Sequence, residues 1–398
     1  MIPIDGAFEI FAAVVFVLGL SQILLALRCH LYLRSYETKS SRRLCDSFDP
    51  PVALICPCRG LDPGFEQNII SMLTLNYQAY RIFFVVSDPN DRAHRALRSL
   101  TAGHPNCQIV ISDRVRSPGD KINNLLAAVN VSEARSAELL AFIDSDVNPH
   151  PEWLRDLITP LVDPAVGLTT GYRHYQTDSG FWSTMRAVAN NVAMTPHLVG
   201  DRLQVAWGGA MAMRRRDFDR SGVEEIWRRA LSDDLTLATA IRRLGLRIEF
   251  VPKCLTNSLG NCTMRECYAW LRRQLFVARM YSPALWRGAF ISFVPMLLIF
   301  AGIMLSPLSL AFPSLRMTAI TLLVVLPLQV IGGWLTALIF KDYRTALWVP
   351  VGILFSGALS IAAFVHSAFT RQLTWRGITY RFLPTGDLIV VQRQEPGT

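Results

Sequence analysis

A chain of 398 residues has room for one substantial globular domain and further elements. It is 51% hydrophobic and only 18% charged, with a mean hydropathy of +0.28, which excludes an ordinary soluble enzyme. The formal net charge of +9 raises nucleic-acid binding, but the basic residues form no patch with interleaved aromatics and lie instead beside apolar segments, where anionic headgroups attract them.

In chain order, the first element is an apolar run from Phe8 to Leu27, about the length that spans a bilayer. Asp5 and Glu9 stand at its outer end, and Arg28, Arg34, Lys39, Arg42 and Arg43 follow it. The positive-inside rule then puts the N-terminus outside and the next segment in the cytosol. A cleaved signal would carry positive charge in front and a small-residue cleavage site behind, so residues 1–30 read as a transmembrane anchor.

From residue 49 to residue 260 strands and helices alternate. Val52-Ala53-Leu54-Ile55-Cys56 predicts a buried strand, followed by a turn at Arg59-Gly60-Leu61-Asp62-Pro63. A second strand over Arg81–Val86 ends at Ser87-Asp88, and a third covers Gln108–Ile111. The fourth, Glu138–Ile143, ends at Asp144-Ser145-Asp146. Such alternation implies an α/β domain with a mainly parallel sheet, whose ligands gather beyond the carboxyl ends of the strands. The eight cysteines show no paired spacing, and Cys56-Pro57-Cys58 lacks a second half for a zinc site, so they read as small buried residues kept reduced.

Residues 261–288 mix Arg272, Arg273 and Arg279 with Trp270, Leu271, Leu275, Phe276, Tyr281, Leu285 and Trp286. That suits an amphipathic helix in the headgroup plane, or one packed on the catalytic domain. Residues 289–371 carry three blocks long enough to cross, Ala289 to Phe312, Met317 to Phe340 and Leu347 to Phe369, kinked at Pro295, Pro307 and Pro327. Residues 372–398 form a tail. Four crossings would return it to the outer face, yet it holds Arg376, Arg381 and Arg393; either the charge rule weakens this far along or one block is re-entrant.

Two carboxylates at a strand end, Asp144 and Asp146, suit a hard divalent cation, Mg²⁺ or Mn²⁺, shared with phosphate oxygens; acids also close strands as plain turn formers. Gly119-Asp120-Lys121-Ile122-Asn123-Asn124-Leu125 opens a helix whose lysine meets a phosphate or only solvent. Paired Gly208 and Gly209 permit close backbone approach to a ligand, or simply make a turn. Ser232-Asp233-Asp234 begins a further helix, where one residue caps the helix and an acid remains to act as a base.

In this order and spacing the set resembles the family 2-like nucleotide-sugar transferases, and more narrowly the ceramide glucosyltransferases of family 21 and their bacterial relatives. The matching stretches are Ile55–Pro63, Val86-Ser87-Asp88, Lys121–Leu125, Asp144-Ser145-Asp146 and Asp233-Asp234, with the likeness running from the anchor to Trp375-Arg376-Gly377. It implies a GT-A-type domain with a mixed, mainly parallel sheet, one N-terminal transmembrane helix and about three C-terminal ones. It also implies that Asp88 binds the uracil or ribose of a UDP-sugar and that Arg59, Gly60, Lys121 and Asn124 line the donor site. Asp144 and Asp146 would hold the diphosphate and its Mg²⁺ or Mn²⁺, and Asp234 would be the general base of an inverting transfer to a lipid. Asp233, Gly208, Gly209, His197, Arg272, Arg273 and Arg279 would support the acceptor or the diphosphate.

One departure stands out. The family signature (R/Q)xxRW becomes Arg273-Gln274-Leu275-Phe276-Val277, so its Arg-Trp pair is replaced, and Arg279 or Arg272 would have to supply that charge from another turn. His197, ahead of Gly200 and Asp201, is either near the acceptor or an exposed loop histidine. The expected reaction is glucose transfer from UDP-glucose to a membrane lipid such as ceramide, in a multi-pass protein with a cytosolic active site. Alternatives are a hopanoid or diacylglycerol acceptor, another UDP-sugar, or a membrane scaffold with a degenerate transferase domain. No nucleic-acid partner is expected, and the residues point to no particular protein partner.

Overall fold

The computed structural model describes residues 4–43, 48–113, 117, 119–176, 180–199, 205–258, 260–383 and 388–393. Gly200 and Asp201, next to the expected acceptor histidine, lie outside the described residues, as does Cys45. The chain forms two compact units.

The first unit takes Tyr36–His174, Gly200–Gly260 and Phe369–Thr398. Among the described residues its larger sheet has seven strands, β1 (Val52–Pro57), β2 (Tyr80–Val86), β3 (Cys107–Ile111), β4 (Leu139–Ile143), β5 (Val166–Tyr175), β6 (Ala210–Arg214) and β7 (Arg247–Ser258). They lie in the order β3-β2-β1-β4-β6-β5-β7. β1 pairs in parallel with β2 and β4, and β2 with β3, whereas β6 runs antiparallel to β4 and β5. A parallel half joined through β6 to an antiparallel half is the mixed, mainly parallel GT-A-type sheet implied by the resemblance. Ala53, Leu54, Ile55 and Cys56 are buried on both faces, which is why β1 reads as a continuous apolar run without alternation. The shared direction of β1, β2 and β4 brings Arg59, Asp88 and Asp144 to one edge of the sheet.

A second sheet belongs to the same unit. β8 (Gln372–Trp375), β9 (Ile378–Phe382) and β10 (Leu388–Arg393) form an antiparallel meander, which the sequence reading covered only as a tail. Every cysteine among the described residues is a free thiol, and burial pushes the Cys56 thiol well above its usual value.

The second unit takes Met1–Ser35, Tyr175–Val199 and Asn261–Ala368. Among the described residues it carries all or most of four helices long and apolar enough to cross a membrane, Ala7–Lys39, Pro283–Ala311, Pro313–Ile339 and Tyr343–Phe369. The third is interrupted between Leu323 and Val325. Pro327 explains the break, because its ring collides with the carbonyl four residues earlier, that of Leu323. Gly332 allows backbone-to-backbone contact, since a Cβ there would lie 2.6 Å from the Gln22 carbonyl carbon and from the Ile23 nitrogen.

The segment Tyr175–Val199, which the sequence reading kept within residues 49–260, clusters with these helices. Its Val188 and Val192 pack against Val330, Ala337 and Val349. The helix Met264–Tyr281 starts with a capping box between Thr263 and Glu266 and stops at Ser282, whose helical conformation Pro283 disfavours. Its Cys267, Leu271 and Leu275 are buried with Ala189 and Ala363, so it packs inside the unit of apolar helices.

Candidate active site

The site grows from two helix starts and two strands. At the end of β4, Asp144 lies 2.8 Å from the Lys121 ammonium, and the same ammonium is 3.0 Å from Asp233. Lys121 belongs to the first turn of the helix Asp120–Val129, and Asp233 opens the helix Asp233–Arg243. Burial works against the lysine's charge, but Asp144 and Asp233 hold it well above the usual range. Burial likewise works to raise Asp144, and Lys121 and Arg173 outweigh it to hold that carboxyl low.

Gly208 stitches this cluster together. Its carbonyl accepts from Lys121 Nζ at 3.2 Å, and its N–H donates to Asp234 Oδ2 at 3.2 Å. A Cβ at this position would collide with Asp233 Oδ2 and sit 2.7 Å from the lysine nitrogen, so only glycine fits. A Cβ on Gly209 would strike the Trp207 ring. Ser232 is the N-cap, accepting from the Leu235 N–H at 3.3 Å. It also donates to Asp234 Oδ1 at 2.5 Å. With Ser232 as cap, Asp233 is buried on Lys121 and Asp234 is the partly exposed acid.

Asp233 has a pH signature. Burial pushes its carboxyl up to about 6 against the pull of Lys121, with Asp234 and Asp144 adding to the rise. Folding therefore favours the protonated form: the contribution to stability is present below pH 3.8 and is lost as pH rises through about 6. Turnover has the opposite sign, because the Lys121 pair needs the carboxylate. Activity should fall as pH drops through about 6, and Asp233→Asn should abolish that limb of the kcat/KM profile; a limb that persists in the variant would contradict this.

Arg173, on β5, was not anticipated from sequence. Its Nη2 lies 3.0 Å from both oxygens of Asp146 and 3.8 Å from Asp144, and its guanidinium covers the Trp207 ring at 5.1 Å. Nothing in the surrounding Gly171-Tyr172-Arg173-His174 distinguishes such an arginine from a solvent-facing strand residue.

Other expected residues are placed differently. Asp88 closes β2, where its Oδ1 accepts from the Asn90 N–H at 2.9 Å. Asn124 is 2% exposed, with its Oδ1 taking the Ser112 hydroxyl and its Nδ2 donating to the Val85 carbonyl at 3.4 Å; it ties the helix to the ends of β2 and β3. Gly60 adopts φ +63°, and its N–H donates to Asp91 Oδ1 at 2.9 Å. Arg59 pairs with Asp120 Oδ2 at 3.0 Å. Asp120 is held further by Arg393 at 2.7 Å, and its N–H donates to the Tyr380 hydroxyl at 3.2 Å. Asp62, quoted in the sequence only as part of a turn, accepts from Ser145 Oγ at 2.7 Å and from Arg376 at 2.8 Å.

In the unit of apolar helices, His197 sits in a short turn over Thr195–Leu198 and is partly buried, not an exposed loop residue. Burial, aided by Arg28, lowers its imidazole to about 4. Arg272, Arg273 and Arg279 all lie on the helix Met264–Tyr281. Arg272 Nη1 is 3.4 Å from His366 Nε2, and Arg279 donates to the Ser367 carbonyl at 2.5 Å.

Asp144 and Asp146 keep 22% and 24% of their side-chain surface open. Among the described residues no group of three or more His, Cys, Asp or Glu side chains forms a metal cage. Mg²⁺ and Mn²⁺ sites of the phosphate-handling kind need only one or two carboxylates, with phosphate and water oxygens completing the shell, so this pair fits a cation that arrives with a diphosphate.

Comparison with known proteins places this geometry in context. The chain is 24% identical over 204 residues to ceramide glucosyltransferase 1 of Caenorhabditis elegans, covering 50% of this chain and 43% of that relative, so it spans less than half the relative's length. A mannosyltransferase from Pyrobaculum calidifontis, solved with GDP-Man and Mn²⁺, aligns over 90% of this chain and 99% of its own at 16% identity and a TM-score of 0.48. Glucosyl-3-phosphoglycerate synthase from Mycobacterium tuberculosis, solved with Mn²⁺, UDP and glucosyl-3-phosphoglycerate, aligns over 57% of this chain and 78% of its own, at 20% identity and a TM-score of 0.39. The model of glycosyl transferase family 21 matches residues 12–388, nearly the whole length, and the chain belongs to that family.

Proposed function

We propose that the protein transfers a hexose, in the simplest case glucose from UDP-glucose, to the hydroxyl of a membrane lipid such as ceramide, with inversion at the anomeric carbon. The observation that carries this reading is the single network joining Asp144, Lys121, Asp233, Gly208 and Asp234, with Asp146 joined through Arg173. The family and the ceramide glucosyltransferase relative support it.

Lys121 and the turn at Gly208 orient the diphosphate, and Arg173 fixes the Asp146 carboxylate. Asp144 and Asp146 would hold a Mg²⁺ or Mn²⁺ ion, which offsets the charge on the leaving diphosphate. Asp234 is the base. Its Oδ2 accepts from the Gly208 N–H and the residue is partly exposed, so it is placed to take the proton of the lipid hydroxyl. As that oxygen bonds to the anomeric carbon, the bond from carbon to the β-phosphate oxygen breaks; the proton goes to Asp234 and the electron pair leaves with UDP.

The test is to incubate the full chain in detergent with UDP-sugars and lipid extracts and to identify products by mass spectrometry. Glycolipid should form with Mg²⁺ or Mn²⁺ and fall to background in excess chelator. Full turnover in chelator would remove the metal from the reading, and absence of any glycosylated product would remove the reading itself.

We also infer a cytosolic catalytic unit in a multi-pass protein. Tyr36–His174 and Phe369–Thr398 fold into one compact unit and so share one membrane face. The chain between Gly260 and Phe369 must then cross an even number of times, although it holds three helices of spanning length. This favours the re-entrant alternative. Tyr343–Phe369 is the helix assigned to it, because beside its start Asp342 accepts from Asn191 and near its end Ser367 accepts from Trp286 and Arg279. A cysteine replacing Lys341 should react with an impermeant maleimide from the cytosolic side only, and labelling from the outer side would refute the assignment.

A further inference from the structure

We propose that Arg376, at the tip of the β8–β9 hairpin, is a donor-binding residue that grips the diphosphate, which makes the C-terminal meander part of the nucleotide-sugar site. This rests on the transferase reading above and assigns it a residue outside the expected set.

The backbone supplies the first observation. Trp375 pairs with Ile378, which leaves Arg376-Gly377 as a two-residue turn with φ of +48° and +73°. Both central residues lie in the left-handed region, the geometry of a type I′ turn, for which Asn-Gly is the favoured pair. Arginine has no short side chain to hydrogen-bond locally and offset that conformation. Only one other non-glycine residue among those described has a positive φ. A disfavoured residue held in such a turn points to a task for its side chain.

The side chain supplies the second. The guanidinium donates to the Arg59 carbonyl at 3.0 Å and to Asp62 at 2.8 Å, and Asp62 is bound in turn by Ser145, the middle residue of Asp144-Ser145-Asp146. Burial works against its charge, while Asp62, Asp146 and Asp144 together strengthen it. The tip is also held in register. Tyr380 accepts from the Asp120 N–H, and Arg393 pairs with the Asp120 carboxylate, at the start of the helix that carries Lys121.

Accessibility supplies the third. Arg376 keeps 37% of its side-chain surface open, against 15% for Lys121, 17% for Arg173, 18% for Arg59 and 22% for Arg393. Of the cations around these acids it is the one an incoming anion meets first. A guanidinium fork matches two phosphate oxygens, so a diphosphate can displace the single Asp62 contact with a better one.

The experiment compares binding of UDP and of uridine to the full chain in detergent, with chelator present so that no divalent cation contributes. Arg376→Asn installs the residue the turn prefers, so its melting temperature should match or exceed that of the wild type. Its affinity for UDP should nevertheless fall by roughly tenfold or more, with uridine within about twofold, because one charge-assisted phosphate contact is lost. Asp62→Asn releases Arg376, so UDP should bind as well as to the wild type or better. If Arg376 is only a structural clamp, both substitutions break the same pair and should weaken UDP alike, or Arg376→Asn should melt early. Either result overturns the proposal, as does unchanged UDP binding in Arg376→Asn. A wild type that binds neither UDP nor uridine even after Mg²⁺ or Mn²⁺ is restored refutes the transferase reading, and this assignment with it.

Discussion

Replacing Asp234 by asparagine should cut turnover by roughly 10²–10⁴-fold while leaving UDP-sugar affinity within about threefold of wild type. The substitution keeps the shape and the acceptor oxygen that takes the Leu235 N–H and the Ser232 hydroxyl. It loses the hydrogen bond from the Gly208 N–H, which an amide nitrogen cannot accept, at a cost of about 1 kcal/mol in stability. The proposed base is lost entirely, because an amide takes up no proton at neutral pH. In the proposed assignment donor binding depends mainly on Lys121, Asp144 and Asp146, which do not touch the substituted atoms. Initial rates set beside UDP titrations separate the two effects. Turnover above a tenth of wild type would disqualify Asp234 as the base, and a parallel collapse of UDP affinity would show the acid to be part of the donor pocket.

The second large effect is expected at Lys121. Its ammonium sits between Asp144 and Asp233, at 2.8 and 3.0 Å, with only 15% of its side chain open. Lys121→Met leaves two carboxylates facing each other in a poorly hydrated place, and removing one partner of a buried pair typically costs about 3–5 kcal/mol. The variant should melt well below wild type and bind UDP poorly. Adding Asp233→Asn should recover part of the lost stability, because it removes one of the uncompensated charges, without restoring UDP binding. Thermal unfolding in detergent beside UDP titration measures both. A single variant with wild-type melting and wild-type affinity would mean that the ammonium is neither a structural counter-ion nor a phosphate ligand.

How much of this could be read from the residues follows from physical causes. β1, β2 and β4 were legible because strands buried on both faces are runs of Val, Ile, Leu and Phe, and because an acid or an arginine closes several of them at the sheet edge. The DxD pair and the paired acids at 233 and 234 were legible for a related reason: charges grouped at the ends of apolar elements stand out. Arg173 was not, since a lone arginine within a strand reads like any solvent-facing residue, and its partner Asp146 is 27 positions away. Asn124 shows the converse. Its place in a motif suggested the donor site, and nothing in the motif told of its bonds to Ser112 and Val85, which join the helix to two strand ends. The excursion at Tyr175–Val199 was hidden because its apolar residues are too few and too interrupted for a span, and only neighbours such as Val330 and Val349 reveal where they pack. The meander was hidden by its polarity. Arg376, Arg381 and Arg393 make the C-terminal stretch look like a solvated tail, although Leu373, Ile378, Tyr380 and Phe382 are buried.

The interleaving of the two units bears on synthesis. A ribosome delivers Lys121, Asp144 and Asp234 early, and then makes three long apolar helices before it reaches Tyr380 and Arg393, which close on Asp120. On the reading proposed above, the donor site is therefore finished only as β10 emerges, after the long apolar helices have been made. A nascent chain whose later helices fail to insert never receives its final strands at the sheet edge. On the reading proposed above, completion of the site is thus coupled to correct placement of those apolar helices.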